Sequence, residues 1–241
     1  MDEFQHAKSL KVAVIGGGES AASVIHTLLE MAKHDGPTFT IDLINRHAAI
    51  YTRSEGYSEN QWFSNPKNWA YELDEESREE LIRRSDRGVF SPAVQEEIRQ
   101  SDSVSTVPAH VLGVEKAPRG VRLRMAYGKI GKPKSEVYDK VIVALGFDPW
   151  SMLNLLPARF RPKTTNRSKL KEFYRTIERN VDKHLCLDFS YVPRMDKKEF
   201  LVHLPAVLAL AQGPGFPSLC CLGHLSDRIL SRYLPVPPKE K

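Results

Sequence analysis

The pattern of apolar and polar positions is clearest near the start of the chain. Residues 12–15 form an unbroken apolar run (VAVI), which predicts a buried strand. Gly16-Gly17-Gly18 turns the chain. Ala21, Val24, Leu28 and Met31 then recur at three- and four-residue spacing, so a helix with one buried face is expected from about Ser20. Gly36-Pro37 supplies its stop, and residues 39–45 (FTIDLIN) read as a second strand. A βαβ unit needs about thirty residues, and this stretch has them.

Periodicity weakens over residues 46–86. The segment is polar, carries Tyr51, Tyr57, Trp62, Phe63, Trp69 and Tyr71, and reads as a loop-rich insertion. An insertion of that length inside a compact protein is more often functional than idle. Residues 75–84 and 92–100 read as short charged helices, and 104–107 and 109–114 as strands. Residues 121–125 (VRLRM) alternate cleanly and predict a hairpin with a strand beyond the 128–134 turn. Residues 141–144 (VIVA) read as a buried strand. The pattern changes after Pro149: a helix over 169–181, a strand-like stretch over 200–204, an unassigned 205–211, a tight turn over 212–217 (QGPGFP) and a terminal helix over 219–233. No internal repeat is evident.

Hydrophobic residues make up 41% and charged residues 27% of the sequence, a balance that excludes wholesale disorder. No run approaches ~18 apolar residues, so no membrane span is expected. The opening MDEFQHAKSL carries acids and lacks the apolar core of a secretory signal, which points to the cytoplasm. Net charge is +5. The densest basic stretch, 159–171, has few aromatic residues and reads as a solvated face, with no nucleic-acid site implied. Attraction to an anionic cofactor or a partner subunit accounts for the excess equally well. The three cysteines lack the CxxC spacing of zinc or redox sites and read as free thiols.

The chemistry is concentrated in the glycine turn. Gly16-x-Gly18-x-x-Ala21 matches a dinucleotide fingerprint between a strand and a helix. Gly16 permits the tight turn, Gly18 lets the backbone approach a pyrophosphate, Ala21 allows close helix–strand packing, and the helix start supplies amide donors. An acid ending the second strand would hold the ribose of NAD. Here the strand ends Asn45-Arg46-His47, and a basic residue suits a 2′-phosphate, so NADPH is favoured, with Arg53 placed to share the role. Flavoproteins that use NADPH carry two glycine fingerprints, and this sequence shows one. His26, His203 and His224 read as structural. No HExxH, GxSxG or clustered-cysteine motif is present, and no metal is implied.

Four stretches in the same order, GGGESAAS (16–23), SEGYSENQWFSNP (54–66), RSDRGVFSPAVQ (84–95) and LAQGPGFPSLCCLGHLSDRIL (210–230), resemble landmarks of the flavin-dependent N-hydroxylating monooxygenases, the L-lysine N6-monooxygenase and L-ornithine N5-monooxygenase family. The likeness is strongest to lysine N6-hydroxylases of mycobactin-type siderophore pathways and runs from about Lys11 to Leu230. It implies an α/β fold, a Rossmann-like NADPH-binding domain followed by the C-terminal part of a FAD-type α/β domain. The domains would be a flexible 1–10, an NADP-binding domain over 11–148 with a substrate-lining insertion, a FAD- and substrate-domain portion over 149–233, and a disordered tail over 234–241.

The resemblance also implies roles. Gly16, Gly18, Glu19, Ser20 and Ala21 would hold the NADPH pyrophosphate. Asn60 would lie near nicotinamide and substrate, and Asp86 stands where ornithine-type members tend to have asparagine. Gly146, in ALGF, resembles the strand end where the chain returns toward the FAD domain. Gly213, Leu219 and Ser226 would border flavin and substrate. NADPH would reduce FAD, and the reduced flavin would activate oxygen for attack by the neutral side-chain amine of lysine or a related substrate. Family members begin with a FAD-binding βαβ unit, and this sequence resembles their C-terminal half. A separate chain supplying the FAD half, or a homo-oligomer, is therefore an expected partner. Two other readings stay open: a non-catalytic nucleotide-binding partner or inactive remnant, and a self-sufficient NADP-dependent dehydrogenase. The last is disfavoured because no lysine follows Tyr57, Tyr71 or Tyr138 at the spacing of a proton relay.

Overall fold

The structure is a computed structural model that describes residues 8–34, 36–47, 49–52, 56–85, 89–128, 131–146, 148–189, 192 and 201–234. It divides into two compact units: Met1–Arg53 with Arg84–Phe147, and Ser54–Arg83 with Asp148–Lys241. Strand β1 (Ser9–Ile15), helix α1 (Glu19–Lys33), strand β2 (Thr38–Asn45) and the short β3 (Tyr51–Thr52) open the first unit. Helices α2 (Tyr57–Ser64), α3 (Trp69–Glu72) and α4 (Glu75–Ser85) follow, most of them in the second unit. The first unit resumes with β4 (Val89–Phe90), α5 (Pro92–Gln100), β5 (Val104–Lys116), β6 (Val121–Tyr127), β7 (Lys134–Tyr138) and β8 (Lys140–Val143). Helices α6 (Arg167–Arg179), α7 (Ala209–Gln212) and α8 (Leu222–Leu230) complete the second unit.

The main sheet has the order β7-β6-β5-β2-β1-β8. Strands β5, β2, β1 and β8 run parallel, and β6 and β7 pair antiparallel. Because side chains alternate across a strand, β1 feeds two cores. Leu10, Val12 and Val14 pack with Ala22, Ile25 and Leu28 of α1, whereas Ala13 and Ile15 join Leu123, Met125 and Tyr138 of the β6–β7 hairpin. Each fully buried Ile or Leu contributes about 1.5–3 kcal/mol. The result is a Rossmann-like α/β unit with a helix on one sheet face and a hairpin on the other. β1 lies one strand in from the β8 edge, which places the turn at its end between β2 and β8.

The two strands expected over 104–114 are one. β5 changes partner at Pro108: residues 104–108 pair with β2, and the stretch from Ala109 pairs with β6. Proline has no N–H to donate and is tolerated at such a handover. β8 is a sheet edge, contrary to the buried strand expected there, and Val143 is 63% exposed.

From Tyr57 to Ser85 the polar insertion is mainly helical, and most of it belongs to the same compact unit as the C-terminal segment. Its helices are too short for a period to show, yet Phe63 and Trp69 are buried. Trp69 Nε1 and Arg78 Nη1 both donate to the Leu210 carbonyl at 3.0 Å. Arg179 pairs with Glu75 at 2.6 Å, and Arg175 pairs with Glu79, tying α4 to α6. The larger core gathers Trp150, Phe160, Ile177, Phe189, Val207 and Phe216. Residues 201–204 form no strand; Leu187 N donates to Val202 O at 2.9 Å, without a ladder. No strand occurs among the described residues of this unit. Among the described residues no helix is long and apolar enough to cross a membrane. Residues 1–7 and 235–241, expected as a flexible start and tail, lie outside the described residues.

Candidate dinucleotide site

The glycine turn closes the C-terminal end of β1. Gly16 is buried with φ +152°, and a Cβ there would stand 2.2 Å from the Ala144 carbonyl oxygen. Gly16 N donates to Ile44 O at 3.0 Å, and Ala144 N donates to Ile15 O at 2.8 Å, so the turn is pinned to both neighbouring strands. A Cβ on Gly17 would lie 2.7 Å from Nδ2 of Asn45. Gly18 is the extended N-cap of α1, and its carbonyl accepts from Ala21 N and Ala22 N at 2.8 and 3.1 Å. No side chain caps this helix. Its first amides therefore face outward with the positive end of the helix dipole, as an anion cradle requires. Ala21 is fully buried, Glu19 is half-buried at the first helical position, and Ser20 is exposed. A bare backbone turn over an uncapped helix start fits a dinucleotide pyrophosphate.

At the end of β2, where an acid would grip a ribose, Asn45 is buried. Its Oδ1 accepts from His47 N at 3.2 Å and its carboxamide lies against Gly17. Arg46 follows, exposed. Gly146 lies just beyond β8, exposed, with φ +75° and open space where a Cβ would project. Arg53 and Asp86 lie outside the described residues. Away from the turn, Tyr138 donates its hydroxyl to Asp42 Oδ2 at 2.8 Å. Burial, followed by that hydrogen bond, pushes its phenol well above the ordinary tyrosine range. His26, Glu30 and Glu97 bring one ligand atom each within 4.8 Å. Lys33 Nζ already occupies both carboxylates, at 2.5 Å from Glu30 and 3.3 Å from Glu97, so the cluster is an ion-pair lattice.

The remaining candidates belong to the second unit. Asn60 is exposed on α2, and its carbonyl accepts from Ser64 Oγ at 2.8 Å. Gly213 has φ +116°, and a Cβ on it would meet Pro66 Cβ at 2.3 Å. A Cβ on Gly215 would meet Phe63 O at 2.0 Å, and Cys221 Sγ donates to the same carbonyl at 2.7 Å. The 212–217 turn is thus packed against the helix that carries Asn60. Leu219 lies in a short 3-10 helix, Leu219–Cys221, and Ser226 is exposed on α8. Sequence reasoning missed two arrangements: the Asn45 carboxamide against Gly17, and Arg228, whose Nη1 donates to Gln212 Oε1 at 2.7 Å. The first had a signal in the missing ribose acid; the second had none.

Comparison with known proteins places the geometry in context. The model of the L-lysine 6-monooxygenase/L-ornithine 5-monooxygenase family matches residues 1–149. The L-lysine N6-monooxygenase MbtG of Mycobacterium tuberculosis is 33% identical over 231 residues, 95% of this chain and 50% of that protein. A solved structure of the lysine monooxygenase NbtG from Nocardia farcinica, described as having an unprecedented NADPH domain conformation, superposes with a TM-score of 0.67 at 30% identity. It covers 95% of this chain and 52% of its own. The ornithine N-hydroxylase KtzI of Kutzneria sp. 744, solved with reduced FAD, NADP+ and L-ornithine, superposes with a TM-score of 0.58. At 17% identity, and with 93% of this chain and 54% of its own covered, it attests the fold alone. The chain spans about half the length of the curated relatives it matches.

Proposed function

Because this chain belongs to the L-lysine 6-monooxygenase/L-ornithine 5-monooxygenase family, we propose that it forms the NADPH-binding and substrate-lining half of a lysine-type side-chain amine N-hydroxylase of siderophore synthesis, working in the cytoplasm. FAD is held mainly by a FAD-binding N-terminal half that lies outside these 241 residues. When bound, FAD would supply hydride acceptance from NADPH and activation of oxygen.

The work of this chain is binding and orientation. The turn from Gly16 to Ala21 takes the pyrophosphate on backbone amides. Glu19 and Ser20 flank it, and Arg46 with Arg53 takes the 2′-phosphate. Asn45, neutral in place of an acid, leaves that phosphate unrepelled. Gly146 lets the chain leave the sheet beside the cofactor. Asn60, Asp86 and Leu219 line the amine substrate, and Gly213 and Ser226 border the flavin. The observation that carries this reading is Gly16 closed under the Ala144 carbonyl at the mouth of an uncapped helix.

The test is reconstitution. The chain is mixed with the FAD-binding N-terminal half of the M. tuberculosis relative, and NADPH-driven flavin bleaching and lysine-dependent oxygen uptake are followed. Turnover only in the mixture supports the reading. The alternative reading is a nucleotide-binding partner without turnover or an inactive remnant. NADPH binding with no flavin reduction in any pairing would select it.

A further inference from the structure

Four arginines are half-buried among the described residues: Arg78, Arg83, Arg175 and Arg228. Three have carboxylates. Arg83 pairs with Glu80 at 2.6 Å, Arg175 pairs with Glu75 and Glu79, and Arg78 lies in the field of Asp74 and Glu75. Arg228 has none. Its Nη1 donates to Gln212 Oε1 at 2.7 Å, and its guanidinium carbon stands 4.7 Å from the centre of the Phe216 ring. Gln212 is held the right way round, since its Nε2 donates to Val181 O at 2.8 Å and turns the oxygen toward the arginine.

Burial depresses the Arg228 guanidinium, and the nearby Cys221 thiol is itself pushed up by burial, so it supplies no counter-charge at neutral pH. Asp227, its sequence neighbour, is exposed and makes no ion pair with it. A neutral amide and an aromatic face thus orient a cation that no carboxylate among the described residues neutralises. One donor is committed, and the rest of the planar fork is left over. That is how a guanidinium is presented to a planar or tetrahedral oxyanion.

We propose that Arg228, presented by Gln212 and Phe216, is the receptor for an oxyanion, a carboxylate or a phosphate, on the ligand that settles at the 212–217 turn. The two sources considered, the α-carboxylate of an amino-acid substrate and a phosphate of the flavin nucleotide, rest on the N-monooxygenase reading.

Phenylglyoxal labelling of the intact chain, mapped by peptide mass spectrometry, tests it. Arg228 is expected to label several-fold faster than Arg83 or Arg175 and to be protected by an anion. Protection by L-lysine, with none by cadaverine or inorganic phosphate, assigns the carboxylate. Protection by inorganic phosphate and FAD, with none by riboflavin, assigns the nucleotide. Calorimetric titration with the protecting probe should then weaken about tenfold or more in Arg228→Gln. Arg228→Lys should fall between, because it keeps the charge and loses the fork. Circular dichroism verifies that both variants fold. No protection by any probe, or equal affinity in Arg228→Gln, overturns the proposal. NADPH titration of the same sample separates the two ideas. A chain that binds NADPH while Arg228 stays unprotected overturns only this site, and a chain protected by phosphate yet blind to NADPH overturns only the functional reading.

Discussion

Replacing Gly16 with alanine perturbs the turn at its tightest point. The added Cβ would stand 2.2 Å from Ala144 O and 2.9 Å from Ala144 C, where ordinary contact begins at 3.4 Å. Neither side yields easily, since Gly16 N is bonded to Ile44 O at 3.0 Å and Ala144 N to Ile15 O at 2.8 Å. The backbone at φ +152° is also strained for any L side chain. Strain of that kind costs about 1–3 kcal/mol, and forcing a methyl into a packed site costs about 1–3 kcal/mol more. A loss of roughly 2–6 kcal/mol should lower the melting temperature of the first unit by roughly 5–20 °C.

Gly17→Ala makes the informative contrast. Its Cβ would meet the tip of the Asn45 side chain, 2.7 Å from Nδ2, and not backbone. It should cost about 1 kcal/mol, and Asn45→Ala should relieve part of that in a double-mutant cycle. The assay is thermal unfolding by circular dichroism, with NADPH titration on each variant. Gly16→Ala is expected to melt early and lose NADPH binding. If it keeps both the wild-type melting temperature and the wild-type affinity, the Ala144 carbonyl does not close over the turn and the site's geometry is wrong.

Further expectations concern groups away from the turn. Tyr138→Phe should cost about 1–2 kcal/mol by leaving half-buried Asp42 without its donor. The raised Tyr138 phenol also sets an alkaline limit. Its contribution is full below the unfolded tyrosine value of about 10 and is lost as pH rises above it, because the unfolded chain then releases a proton that the folded chain keeps. Urea titrations at rising alkaline pH should show the decline, and Tyr138→Phe should flatten it. Of the three cysteines, Cys220 is exposed while Cys186 and Cys221 are buried with thiols pushed up by burial. A thiol reagent should therefore take one equivalent rapidly from the native chain and the rest only on unfolding; three fast equivalents would contradict the packing of Cys221 against Phe63.

The elements most legible in the sequence were those whose pattern is local. The run at 12–15, the glycines and the spacing of Ala21, Val24 and Leu28 lie within one βαβ unit, and β1, α1 and β2 follow them closely. Helix α5 and the β6–β7 hairpin were readable for the same reason. What failed depends on contacts distant in sequence. Pro108 looked like a break because a sequence cannot reveal that β5 changes partner there. The residues of β8 look buried, yet Val143 is exposed because β1 pairs on one side and no strand among the described residues pairs on the other. Trp69 sits in a helix too short to show a period, and its place is set by Leu210, far along the chain. Arg228 has an acid beside it in sequence, which hides the absence of one beside it in space among the described residues.

NADPH is proposed to bind at the turn from Gly16 to Ala21, with Arg46 at the end of β2. Titration of the purified chain with NADPH and NADH in parallel, by quenching of tryptophan fluorescence, tests it most directly. NADPH should bind at least about tenfold more tightly than NADH, the difference one charged phosphate contact is worth, and Arg46→Ala should erase most of that preference. Equal affinity for the two nucleotides, or no binding of either by a folded chain, would contradict it.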